Sequence, residues 1–198
     1  MKTLIISSAC LLLSSQAHSA VFNFTGEIEF HNDVISTYFT LENDALNVRV
    51  WTDSFQGGEN FDPITALWNA GSGNQIAQND DNESIDPATQ TYYDSGFSIP
   101  SLVAGDYVFT IATFNNFSNS SLLSDGFSFD SEQSIALSDW CQPSSSCGMG
   151  PKWSVWLDGV DSASVVTPIP EPSTYALMLG GLGLVGFMAM RRREKQKN

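Results

Sequence analysis

Positive charge is nearly missing from the body of this 198-residue chain. Between Ala20 and Thr167 only Arg49 and Lys152 are basic, against twenty aspartates and glutamates, a net charge of −18. Phosphate recognition needs clustered Lys and Arg, so nucleic acid is excluded as a partner class, and an anionic membrane surface is disfavoured for the same reason. Divalent cations, neutral glycans and basic proteins remain compatible with such a charge. Histidine is as scarce: His31 is the one imidazole of the body. A Ser-His-Asp triad would have to use it, and no serine sits in a Gly-x-Ser-x-Gly elbow. Twenty carboxylates offer many glycosidase pairs and no pattern that marks one. The expectation is therefore a non-enzymatic protein, with a cryptic extracellular hydrolase as the remaining enzymatic reading. His31 reads as a surface or turn residue beside a strand end.

Cysteine is rare too. Cys10 lies near the N-terminus, and Cys141 and Cys147 share the stretch WCQPSSSCGMG. An even pair in an exported chain reads as a disulfide, here closing a short surface loop. A zinc site would want more Cys or His nearby.

Long apolar runs are confined to the two ends. Residues 1–19, MKTLIISSACLLLSSQAHS, have a basic Lys2, an apolar stretch from Leu4 to Leu13 and small residues at Ala17 and Ser19. This is the pattern of a secretory signal peptide cut after Ser19 or Ala20, which implies Sec export and signal peptidase. At the other end, Thr174 to Met190 carries no charge. As a helix it would measure roughly 26 Å, slightly short of a hydrocarbon core of ~30 Å. Arg191, Arg192 and Arg193 follow, then Lys195 and Lys197. By the positive-inside rule this cluster stays cytoplasmic and leaves the preceding chain outside. Pro168, Pro170 and Pro172 keep the approach extended and unable to join a sheet.

Pro170-Glu171-Pro172, the apolar run and the arginine cluster together resemble a PEP-CTERM sorting signal of Gram-negative bacteria, over residues 168–198. The resemblance implies recognition by an exosortase and removal of the membrane-spanning tail. It implies an inner-membrane-anchored precursor, then release or attachment at the cell surface or in an exopolysaccharide-rich biofilm matrix. The basic tail would then orient the chain and be discarded.

What remains, residues 20–167, has the length of one domain. Its apolar residues alternate in short runs: Phe22, Phe24, Ile28 and Phe30; Leu46, Val48 and Val50; Tyr107, Phe109 and Ile111; Trp153, Val155 and Leu157. Period-two patterning broken by Gly, Asn, Asp and Pro predicts antiparallel strands. Seven or eight of them predict an all-β, two-layer sandwich.

The middle is the most specific stretch. Leu67, Trp68, Asn69, Asn74, Ile76, Ala77, Asn79, Asp80 and Asp81, then Leu102, Ala104, Gly105 and Tyr107, resemble the bacterial pre-peptidase C-terminal (PPC) β-sandwich over about Val50 to Phe117. The NESIDPATQTYYD stretch departs from that pattern, which is short and Gly-rich there. Asn79, Asp80, Asp81, Asn82, Glu83 and Asp86 form the densest set of candidate oxygen ligands, and Asp62 in GENFDP is a candidate to join them from another turn. Ca²⁺ takes six to eight oxygens, mostly carboxylate and carbonyl, and the resemblance to PPC-type domains adds to that reading. The spacing is not that of an EF-hand, and a solvated acidic turn capped by Asn79 and Asp80 is the plain alternative.

The tryptophans offer a third reading, a carbohydrate-binding module with exposed rings beside the acidic loop. Trp51 falls opposite Val48 and Val50 and is expected to face outward. Trp68 and Trp153 are expected in the core, and Trp140 on the disulfide.

Overall fold

The computed structural model describes residues 20–143 and 146–166. The expected signal peptide at 1–19, the expected sorting signal at 168–198 and its apolar run at 174–190 lie outside them.

The described chain forms two antiparallel sheets. Strands β1 (Ala20–Glu27), β2 (Val34–Leu41), β3 (Ala45–Thr52), β4 (Pro63–Asn69), β5 (Gln75–Asn79), β6 (Gly96–Leu102) and β7 (Gly105–Thr113) come first. The short hairpin of β8 (Cys141–Gln142) and β9 (Ser146–Cys147) precedes β10 (Lys152–Val160) and β11 (Ser162–Val166). One sheet has the order β1-β10-β3-β6, the other β11-β2-β7-β4-β5. Among these nine long strands, only β4 and β5 follow each other within one sheet. Every other connection crosses between layers, at β10–β11 through Asp161 alone. The architecture is that of a β-sandwich, as the alternation predicts.

The core lies between the layers. Val50 and Leu157 from one sheet and Phe39, Phe109 and Ile111 from the other are almost fully buried in one cluster. Burying such a side chain stabilises the fold by about 1.5–3 kcal/mol. Phe22 and Phe24 pack against the cluster from edge strand β1. Trp153 belongs to it as expected. Trp68 is equally buried, but on the far side of its sheet, with Ala66, Val108 and Phe127. There its Nε1 donates to Thr110 Oγ1 at 2.9 Å. Strands β4 and β7 are therefore covered on both faces, which explains their near-continuous burial.

Three expectations need correction. Leu46 does not share the face of Val48 and Val50: it is 72% exposed while Ala45 packs on the core. Asn47, with φ 57°, sits at the break, and a left-handed residue there disrupts strict alternation. Trp51 lies opposite Val50 yet is 3% exposed. Trp156 stacks on it at 6.0 Å, and Arg49 lies over its ring while donating to the Ile85 carbonyl. His31 is not a surface residue. It is fully buried between the rings of Phe129 and Trp140, each centred 5.3 Å away. Trp140 thus finds its ring partners in His31 and Phe129.

No helix among the described residues is long and apolar enough to cross a membrane.

Candidate metal centre

Strand register builds the acidic site. β4 and β5 are antiparallel neighbours with Thr65 opposite Asn79. The chain enters β4 just after Asp62 and leaves β5 into Asp80 and Asp81, so the two segments meet at one end of the pair. One carboxylate oxygen from each of Asp62, Asp80 and Asp81 lies within 4.8 Å of the other two. Asp62 is buried, Asp80 half-buried and Asp81 exposed, so the group opens from the interior toward water.

Asp62 is held from three sides. Its backbone N–H donates to Gln142 Oε1 at 3.2 Å, and its Oδ2 accepts from Gln142 Nε2 at 3.3 Å. Its carbonyl accepts from the Phe114 N–H at 2.8 Å. Its other carboxylate oxygen, Oδ1, is shielded from solvent and has no hydrogen-bond partner, and the same holds for Asp80 Oδ1. An unpaired buried carboxylate oxygen is costly, and a bound cation is one way to satisfy it.

The electrostatics point the same way. Burial pushes the Asp62 carboxyl up to about 7, with the charges of Asp80 and Asp81 adding to the rise and the Gln142 hydrogen bond opposing it. Burial and the neighbouring Asp81 raise Asp80 to about 6. Asp81 is raised by burial and by Glu83. Each shift disfavours the anionic form that a hard cation would stabilise.

The other oxygen-bearing residues of the acidic stretch shape the loop. Asn79 and Asn82 both donate from Nδ2 to the Gly96 carbonyl, at 3.2 and 3.4 Å. Asn82 Oδ1 accepts from the N–H and hydroxyl of Ser84. Asp86 caps the turn that follows, its Oδ2 accepting from Thr89 Oγ1 at 3.0 Å. Glu83 is exposed and acts on Asp81 through charge. The structure therefore brings Asp62, Asp80 and Asp81 together and leaves Asn79, Asn82, Glu83 and Asp86 outside that carboxylate group.

Asp94 was not singled out by the sequence. It is fully buried, its Oδ1 accepting from Thr52 Oγ1 and the Phe55 N–H, its Oδ2 from the N–H and hydroxyl of Thr91. Burial raises its carboxyl and these bonds oppose the rise. It anchors the end of the acidic loop to the β3–β4 connection. Cys141 and Cys147 are joined in a disulfide across the β8–β9 hairpin, which carries Gln142.

Outside the described residues, the family model for the PEP-CTERM protein-sorting motif matches residues 168–193. That span includes Pro170, Glu171, Pro172 and Arg191 to Arg193. The motif indicates a substrate of exosortase sorting and implies an exported protein. No curated protein matches the chain.

Proposed function

We propose that this chain is a non-enzymatic protein of the cell surface or extracellular matrix, associated with exopolysaccharide. Its β-sandwich is read as PPC-like and as stabilised by Ca²⁺. Export and exosortase processing follow from the sorting motif. The convergence of Asp62, Asp80 and Asp81, with two of their buried oxygens unpartnered, carries the cation reading. The donors are all oxygen, which suits a hard divalent ion, and water would complete the shell on the open side. When bound, the ion neutralises three carboxylates that otherwise repel one another. Asp62 stands at the start of β4, while Asp80 and Asp81 open the loop toward β6. An ion shared between them ties these two segments. Affinity is expected in the range of extracellular modules, about 10⁻⁴–10⁻³ M.

The non-enzymatic reading is supported by the state of His31, the one histidine among the described residues. His31 Nδ1 accepts from the Ile135 N–H at 3.2 Å, and Nε2 faces Glu132 Oε2 at 3.1 Å. Both nitrogens are occupied in a fully buried ring.

Thermal unfolding tests the cation. Ca²⁺ is expected to raise the Tm of the wild-type protein by several degrees over a chelated sample. The rise should vanish when Asp80 and Asp81 are both changed to Asn. An equal rise in that variant would place the ion elsewhere.

A further inference from the structure

The two sides of the sandwich are finished differently. β10 touches β2 across the core and β6 touches β5, so β1 and β11 form one lateral edge while β5 and β6 form the other. At the β5–β6 side the edge strands are tied to neighbouring loops or interrupted. The Gln75 N–H donates to the Ser121 carbonyl at 2.8 Å, and Asn74 bridges to Leu122. The Asn79 carbonyl accepts from Ser95 Oγ at 3.1 Å. Pro100, within β6, has no N–H to offer a further strand.

The β1–β11 side is bare. Among the described residues no strand pairs with the outer side of β1 or of β11. A row of unpaired N–H and C=O groups is a template for another strand, so sheet edges are commonly guarded by charge, proline or a covering segment. Residues 20–26 and 162–166 contain neither a charged residue nor a proline, in a body that carries −18. The one register shift of β1 lies at its start, between Ala20 and Phe22.

The core also surfaces at this edge. Phe22 and Phe24 on β1 and Ala163 and Val165 on β11 pack on the core from the two layers yet are only half-buried. Val21 and Val166, 56% and 53% exposed, add apolar surface to the same strands.

Charge and symmetry select the occupant. A basic partner drawn by the acidic body finds no counter-charge on these strands. For a second copy, the same stretch lets two strongly acidic bodies approach without setting carboxylates against each other. Each copy brings the same unpaired backbone, so a contact about a two-fold axis satisfies both at once. An eight-residue strand is about 26 Å long and a two-layer edge with its outward side chains about 20 Å deep, so two copies meeting there bury on the order of 1,000 Å², the lower limit for specific association.

We infer that the β1–β11 edge is a self-association surface, where β1 of one copy pairs antiparallel with β1 of a second and the two β11 strands lie opposite each other. The inference goes beyond the matrix reading and needs no cation.

The test uses the full-length chain in detergent, with chelator present to remove cation bridging between acidic surfaces. Sedimentation equilibrium is expected to show a reversible dimer for the wild type. Thr25→Lys with Ser164→Lys puts a charge at an exposed position of each edge strand, and is expected to weaken dimerisation about tenfold with an unchanged Tm. Ile76→Lys with Ser101→Lys makes the same change of charge at the β5–β6 side and should leave the dimer intact. Cross-linking reads the contact directly, in a Cys10→Ser background where Cys141 and Cys147 are held in their disulfide. Thr25→Cys and Ser164→Cys are each expected to link two copies through a short bismaleimide, and Ser101→Cys is not. A monomeric wild type overturns the inference. So does a dimer that survives Thr25→Lys with Ser164→Lys, which would place the contact in the apolar tail or elsewhere, and so does equal cross-linking by Ser101→Cys.

Discussion

Asp62 shows how one residue links burial, charge and stability. Its carboxyl stands at about 7 in the folded protein against 3.8 for the free group. The folded state therefore holds this proton more tightly than the unfolded chain. The stability it contributes is full below pH 3.8 and is lost as pH rises through about 7. Asp62→Asn removes the titration and keeps a polar partner for Gln142. In chelator, denaturant unfolding between pH 4 and 8 is expected to show wild-type stability falling with pH and a much shallower fall in the variant. Parallel slopes would show that the carboxyl is not the titrating group. Added Ca²⁺ competes with the proton and should offset the wild-type loss at high pH.

His31 makes the complementary point about scarcity. Its Nδ1 accepts from a backbone N–H, so the hydrogen-bond network assigns the ring proton to Nε2, which donates to Glu132. His31→Phe keeps an aromatic ring between Phe129 and Trp140 and strands the Ile135 N–H. A loss of about 1 kcal/mol is expected from denaturant unfolding, the cost of losing one part-buried hydrogen bond. A variant as stable as wild type would show that water reaches that N–H.

At the scale of elements, the β8–β9 hairpin is the support of the carboxylate group. Its disulfide closes a loop of six residues' separation, which restricts the unfolded chain by only about 2 kcal/mol. Its second role is positional, because Gln142 clamps Asp62 through two hydrogen bonds. Cys141→Ser with Cys147→Ser is expected to weaken Ca²⁺ binding severalfold in calorimetric titration. Gln142→Leu with the disulfide intact should do the same, which separates positioning from global stability. Wild-type affinity in both variants would mean that Asp62 needs no clamp.

The same elements show what the sequence made legible. Tyr107, Phe109 and Ile111 alternate visibly because one side of β7 faces the core between the sheets. β4 has no such alternation, because residues after β7 fold back as an excursion and set Phe127 against Trp68. The acidic stretch was legible as composition. Asp62 was expected beside it; that only Asp80 and Asp81 of the stretch join it, while Asn82 and Asp86 serve turns, depends on the β4–β5 register and on backbone partners. Asp94 was illegible for the same reason: Thr52 and Phe55, which bind it, are some forty residues away in the chain.

At the scale of the whole molecule, two charge distributions divide the labour. The body holds twenty acids and two bases, and six basic residues lie at the two ends. A strongly acidic body favours solubility and repels phosphates. By the positive-inside rule the arginines at 191–193 are expected to act earlier, during insertion, by holding the tail on the cytoplasmic side. Between them stands Pro170-Glu171-Pro172, inside the matched motif. From the sequence, proline on either side is expected to disfavour both helix and sheet pairing, leaving a segment that suits recognition by a membrane protease. Replacing all three residues with Ala is therefore expected to block processing while leaving export intact. Pulse-labelling in an exosortase-containing host reads the outcome directly. The variant should accumulate at the membrane as a precursor that keeps its tail, while the wild type is chased to a shorter form. If the tail leaves the variant at the wild-type rate, processing does not read these residues and the sorting claim fails.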